Sequence, residues 1–299
     1  MTALTAPYFH DDDKARQYLE AIRWPNGPAC PHCGSAEEGH YALKGKAHRP
    51  GLWKCKDCRK QFSVTVGTVF ERSKIPLSKW LMAAYLLCSS KKGMSAHQLH
   101  RTLGVTYKTA WFLAHRIRHA MEAPQGGLMG SAGGVVEADE TYIGRKKGAP
   151  VRRAWGHKNA VFSLVERGGE VRSVHLSGKM FDGIKDALKN NVSPNARLST
   201  DEAKMYVRVA KQFAEHMTVK HKDGEYVRGD AHTNTLEGYF SVFKRGMKGT
   251  YQHCGSQRLH RYLTEFDFRY NPRSSLGVED GQRAIDALKR TEGKRLTYR

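Results

Sequence analysis

Four cysteines constrain this chain more than any other feature. Cys30-Pro31-His32-Cys33 and Cys55-Lys56-Asp57-Cys58 form two CxxC pairs separated by 21 residues. Each pair is a tight knuckle that aims two thiolates at one point. Two knuckles complete the tetrahedral shell of a structural Zn²⁺ ion. Two unrelated redox pairs are the competing reading, and the spacing speaks against it. His32 lies inside the first knuckle but is not needed for four ligands. Strand-like runs at Trp53 to Cys55 and Gln61 to Val66 suggest a zinc ribbon, with so little apolar material that metal must supply much of its stability. Cys88 falls on the apolar face of a helix and reads as packing, and Cys254 is uninformative.

The charge balance indicates what such a module meets. Lys and Arg number 50 against 29 Asp and Glu, which leaves +21 over 299 residues. Self-repulsion of that size is relieved by a polyanion, and nucleic acid is the commonest one. No stretch approaches the ~18 apolar residues of a membrane helix. The N-terminus, with Asp11, Asp12 and Asp13, lacks the basic-then-apolar order of a signal peptide. A cytoplasmic, nucleoid-associated protein with no membrane partner is expected.

Texture divides the chain. Residues 1–72 carry the cysteine pairs and an N-terminal helix, and 73–122 are helical by periodicity. Residues 123–134, crowded with Gly126, Gly127, Gly130, Gly133 and Gly134, read as a flexible linker. Residues 135–275 mix strands and helices, and 276–299 read as a helix and charged tail with no evident role. Strands are predicted at Val135 to Ile143, Asn159 to Val165, Glu170 to Leu176 and Ala196 to Thr200, with helices at Phe181 to Asn190, His232 to Met247 and Ser256 to Tyr270. That order describes a mixed α/β sheet domain.

In the helical segment, one helix starts near Ser78. A second opens at Ser95 with Gln98 three residues on, a capping box, and ends at Gly104. A third opens at Thr106. Short helix, turn, longer helix is the helix-turn-helix pattern, whose second helix meets base edges with its N-terminal residues. Thr106, Tyr107 and Lys108 are the candidates for that role. Trp111, His115 and His119 are predicted on the same solvent face, with Arg116 and Arg118 alongside. A plain helical hairpin with a basic face is the alternative, weakened by the neighbouring ribbon and the overall charge.

Between Glu140 and Glu166 there is no acidic residue, yet Arg145, Lys146, Lys147, Arg152, Arg153 and Lys158 are there. A carboxylate on the strand before this loop would face phosphates. Asp139 occupies that place, with Glu137 and Thr141 on its side of the strand and Ala138 and Glu140 on the other. Asp201 ends a later strand, and Glu237 lies in the first turn of a late helix. Phosphoryl transfer on DNA needs two Mg²⁺ ions about 4 Å apart, and such hard ions bind oxygen ligands. Lys244 is two turns beyond Glu237 and within reach of a phosphate. Each acid also has a structural reading: Glu237 as a helix cap paired with Asn234, Asp201 as a turn residue, and Glu140 as the active acid in place of Asp139.

Several motifs occur together in order: Cys30-Pro31-His32-Cys33-Gly34, Phe62 to Phe70, Lys108 to Phe112, Asp139 to Gly144, Asn234 to Ser241 and Glu265 to Asn271. Through them the chain resembles the zinc-ribbon DDE transposases of bacterial insertion sequences, those with an ISXO-type transposase domain, from about Tyr8 to Arg273. The resemblance implies an RNase H-like catalytic domain after the zinc ribbon and helix-turn-helix. It implies a catalytic triad of Asp139, Asp201 and Glu237 with Lys244 as basic partner, holding Mg²⁺ or Mn²⁺. Some relatives use asparagine where others use glutamate, so Asn234 stands as the alternative third ligand. Double-stranded DNA, as element ends and target, is the implied partner, with a homo-oligomer formed on it. The residues leave two other functions open: a DNA-binding regulator with a decayed catalytic domain, and a nuclease that hydrolyses without joining.

Overall fold

The structure, a computed structural model, describes residues 3–36, 39–124, 126–151, 155–225 and 227–296. Arg152 and Arg153 lie outside the described residues. The chain forms two compact units: Met1–Ser90 with Met94–Glu122 and Ser274–Arg299, and Lys91–Gly93 with Ala123–Arg273.

In the first unit, α1 (Asp12–Arg23) starts at Asp11, whose carboxylate accepts the Lys14 N–H at 2.8 Å. The ribbon follows as β1 (Tyr41–Ala42), β2 (Trp53–Lys54) and β3 (Gln61–Phe62), antiparallel in that order. These strands are two residues long, shorter than the predicted Gln61 to Val66 run. Phe62, Trp24 and Trp53 pack around Cys30, Cys55 and Cys58. Then come α2 (Leu77–Ser89), α3 (Ala96–Leu103) and α4 (Tyr107–Met121). Ser95 caps α3 by accepting the Gln98 N–H, and Thr106 caps α4 by accepting the Thr109 N–H. Between them Gly104 sits at φ +60°, a left-handed turn that glycine adopts without strain.

The second unit is built on β4 (Val135–Ile143), β5 (Asn159–Glu166), β6 (Val171–Leu176), α5 (Met180–Asn191), β7 (Arg197–Thr200), α6 (Lys204–Val209), β8 (Glu215–Thr218), α7 (Asn234–Gly246) and α8 (Leu259–Tyr270). Its sheet runs β6-β5-β4-β7-β8. β4, β5 and β6 are antiparallel neighbours, and β7 and β8 continue parallel to β4. Period-two alternation splits β4 between two cores. Val136 and Ala138 pack with Phe162, Leu164, Ile184, Leu188 and Tyr206, while Ile143 packs with Val161, Leu236, Phe240, Phe243 and Phe266.

Two expectations about organisation change. The presumed linker is in part structural. Met129 is buried, its N–H donates to Asn191 O, and its carbonyl accepts from Ser193 N. Gly130 donates to Glu166 and has φ +70°, and a Cβ there would lie 2.5 Å from that of Ala196. The segment's apolar side chain and backbone partners thus bind it to the sheet. The C-terminal residues are no separate tail either. α9 (Asp280–Lys289) buries Ala284, Ala287 and Leu288 in the first unit, and Gly293 N–H donates to Gly67 O.

That return also overturns part of the predicted DNA face of α4. Thr106, Tyr107 and Lys108 are exposed and Trp111 is half-buried. His115 is fully buried, packed against the Trp111 ring, and Arg118 is buried too. Arg116 donates to Leu296 O and Val69 O. The chain end thus engages Arg116, and His115, fully buried, presents nothing to solvent.

Candidate active site and zinc centre

The knuckles bring four sulfurs together. Cys30 Sγ lies 3.7 Å from Cys58 Sγ and Cys33 Sγ lies 3.6 Å from Cys55 Sγ, and all four fall within 4.8 Å of one another. A tetrahedron with Zn–S bonds of about 2.3 Å has sulfur–sulfur edges of about 3.8 Å. The donor set and its spacing therefore fit one zinc ion. Each knuckle closes on a left-handed residue immediately after its second cysteine, Gly34 at φ +78° and Arg59 at φ +61°.

The acids converge through strand register. β4 and β7 are parallel with Glu137 opposite Ser199. Two residues further on, Asp139 and Asp201 come level on the same face of the sheet, at the carboxyl end of β7. Glu237 lies in the first turn of α7, which packs on that face. The electrostatics record the meeting. Burial, then the charges of Glu140, Asp201 and Glu237, push the Asp139 carboxyl up to about 8, against a relieving hydrogen bond from the Glu140 N–H. Glu140 is also raised, chiefly by burial and further by Asp201, although Tyr206 donates to it at 2.5 Å. Asp201 accepts the Ala203 N–H at 3.0 Å.

The other predicted residues are spread more widely. Asn234 is the first residue of α7 and is exposed. Lys244, two turns after Glu237, is half-buried with Nζ 5.9 Å from the Phe240 ring centre. Arg145 and Lys147 are exposed and Lys146 is half-buried. Arg145 turns back to donate to Ala149 O.

One residue that matters here was not singled out by sequence reasoning. Glu137, fully buried, accepts the Leu236 N–H at 3.0 Å, the Thr235 hydroxyl at 2.9 Å and Arg167 Nε at 2.7 Å. It caps α7 from β4, the role that Thr233 at the N-cap position leaves unfilled. A buried charge so partnered fixes the helix start, and with it Glu237, relative to Asp139. The motif Glu265 to Asn271 has a structural part as well. Asp267 accepts from Ser173 N–H, Ser173 Oγ and Tyr239 OH, while Asn271 bonds both backbone groups of Val171. α8 thereby satisfies the open edge of β6 with side chains.

Comparison with known proteins adds the family. Residues 131–271 match the ISXO2-like transposase domain, and residues 10–61 match the transposase zinc-ribbon domain. A protein of the transposable element ISH50 from Halobacterium salinarum, itself described as uncharacterized, is 32% identical over 278 residues, covering 87% of this chain and 91% of its own length. The chain belongs to the zinc-ribbon, ISXO2-like transposases of insertion sequences. It is a transposase-type enzyme with an RNase H-like catalytic domain, and its domains imply DNA binding. No helix among the described residues is long and apolar enough to cross a membrane.

Proposed function

We propose that this transposase cuts and joins DNA at its element's ends through a divalent-metal site formed by Asp139, Asp201 and Glu237. The observation that carries this is the parallel register of β4 with β7, which brings Asp139 level with Asp201 on the face that α7 covers; there burial, then the charges of Glu140, Asp201 and Glu237, push the Asp139 carboxyl up. Carboxylates that repel one another beneath solvent are relieved by a cation, and an all-oxygen donor set suits Mg²⁺ or Mn²⁺. Bound there, a metal pair supplies Lewis-acid stabilisation of the attacking and leaving oxygens. Among the described residues only the four cysteines bring three or more His, Cys, Asp or Glu ligand atoms within 4.8 Å of one another, so the three carboxylates are spread more widely than that. Such a spread would suit two ions rather than one.

The chain's own residues hold and orient. Glu137 fixes the start of α7, so Glu237 faces Asp139. Lys244 neutralises a phosphate beside the scissile one. Thr106, Tyr107, Lys108 and Trp111 read the terminal repeats, while Arg145, Lys146 and Lys147 hold backbone phosphates. Arg152 and Arg153 belong to the same basic loop in sequence. Two ends brought together for joining call for a homo-oligomer on DNA. Glu237 is favoured over Asn234 as third ligand because a carboxylate holds Mg²⁺ better than a carboxamide and because Lys244 lies seven residues on, along the same helix.

The test is cleavage and joining of a labelled duplex carrying the element's ends, with Mg²⁺. Asp139→Asn, Asp201→Asn and Glu237→Gln should each lower both activities by at least ~10³-fold while DNA affinity stays within about twofold. Near-normal joining by Glu237→Gln, with loss in Asn234→Ala, would move the third ligand to the asparagine.

A further inference from the structure

Asp201 sits in a closely tied stretch of chain. Thr200 Oγ1 donates to the Asp201 carbonyl at 2.8 Å, which leaves its oxygen to accept from His216 Nε2, 2.9 Å away on β8. The Asp201 carboxylate accepts the Ala203 N–H at 3.0 Å, and Ala203 is the N-cap residue of α6. Tyr206, the third residue of α6, is wholly buried, and its hydroxyl donates to Glu140 Oε2 at 2.5 Å. Glu140 follows Asp139 directly on β4 and points to the opposite face of the strand. Ala138 and Tyr142 flank it on that face, and both pack in the same cluster as Tyr206. The bond therefore joins the strand that carries Asp139 to the short helix that begins three residues after Asp201.

Packing alone does not call for this pair. Phenylalanine would fill the place of the Tyr206 ring, and a half-buried carboxylate gives up hydration that an apolar side chain never had. What the hydroxyl and the carboxylate add is a fixed distance and direction between two elements. We infer that Tyr206 and Glu140 are positioning residues for the transposase reaction: their hydrogen bond sets α6 against β4 and so holds Asp201 level with Asp139. Glu140 serves through Tyr206 and is not a fourth metal ligand. Its Oε2 is the acceptor that the buried phenol needs, and its side chain leaves β4 on the α6 side, away from that of Asp139. β4 thus grips a helix on either face, α7 through Glu137 and α6 through Glu140, with Asp139 between the two acids in sequence.

The inference rests on the metal site proposed for Asp139, Asp201 and Glu237, and it is read by ion binding before activity. Mn²⁺ is titrated into the full chain with its zinc retained, and the free ion is counted by paramagnetic resonance. Groups that orient metal ligands are worth about 10–100-fold in affinity, so Tyr206→Phe, which keeps the ring, should weaken Mn²⁺ binding about tenfold. The same variant should lower kcat for cleavage and leave KM for DNA unchanged. Glu140→Gln keeps an acceptor for the phenol and should stay within about twofold of wild type, whereas Glu140→Ala should match Tyr206→Phe. Were Tyr206→Phe too unstable to isolate, the contrast between Glu140→Gln and Glu140→Ala decides by the same measure. Wild-type Mn²⁺ affinity in Tyr206→Phe, with only the melting temperature lowered, makes the bond structural and overturns the inference. Loss of Mn²⁺ in Glu140→Gln as large as in Asp139→Asn makes Glu140 a ligand and overturns it too. Undiminished Mn²⁺ binding by Asp201→Asn removes the metal site itself, and the inference with it.

Discussion

Glu137 on β4 accepts the backbone N–H of Leu236 in α7, 99 residues away in sequence, at 3.0 Å. A carboxylate from the central strand thus does what a capping side chain normally does from within the helix. The helix that carries Glu237 is thereby tied to the strand that carries Asp139.

Removing that tie should be costly. Glu137→Ala leaves the Arg167 guanidinium and two donors of α7 without their acceptor inside the core. We expect a loss of about 3–5 kcal/mol in denaturant unfolding of the sheet unit. Glu137→Gln keeps an acceptor and should lose only ~1–2 kcal/mol. Equal losses would mean that shape, not hydrogen bonding, holds the helix.

Asp139 should make metal-free stability pH-dependent. Its folded value of about 8 lies above the ordinary 3.8, so folding favours the protonated form. The cost of ionising it is absent near pH 4, grows as pH rises and levels off above about 8. With chelator present, Asp139→Asn should leave the melting temperature unchanged at pH 4 and raise it by roughly 5 °C at pH 8. Added Mg²⁺ should stabilise the wild type at pH 8 and not the variant. A pH-independent difference would contradict the sign.

Asp267 guards an open strand edge. Asp267→Ala removes the partner of Ser173 N–H and of two hydroxyls. A loss of about 2–4 kcal/mol is expected, with fast hydrogen exchange at the Ser173 amide. Exposed edges pair with other chains, so light scattering should also rise. A variant as soluble and as protected as wild type would remove this role.

Zinc should be measurable as one ion per chain. Cys55→Ser should abolish it and melt the ribbon, while the sheet unit keeps its own cooperative transition. Protein purified without chelator yet lacking zinc, or one unfolding transition lost as a whole, would contradict this.

How far these features could be read in advance depended on whether their causes are local. β4 and β5 were legible because apolar and β-branched residues are written along each strand. α3 and α4 were legible because Ser95, Gly104 and Thr106 mark their ends. β8, with Glu215, His216 and Met217 at a half-exposed sheet edge, carries no alternation, and α6 is too short for a periodic signal. Glu137 stood in plain view on the face of Asp139, but a cap supplied from a strand so distant leaves no spacing to recognise. His115 was expected on the solvent face and is buried against Trp111, because a helical wheel cannot register what tertiary packing lays over a helix. The acids were legible as candidates, and their convergence followed only from the parallel pairing of β4 with β7.

The return of α9 to the first unit has a consequence for synthesis. A nascent chain completes every strand of the sheet before it makes Ala284, Ala287 and Leu288, which the first unit needs for its core. The sheet unit is therefore free to fold while the first unit still waits for α9. Polypeptides cut short in between would carry Asp139, Asp201 and Glu237 on a complete sheet beside a first unit that lacks part of its core.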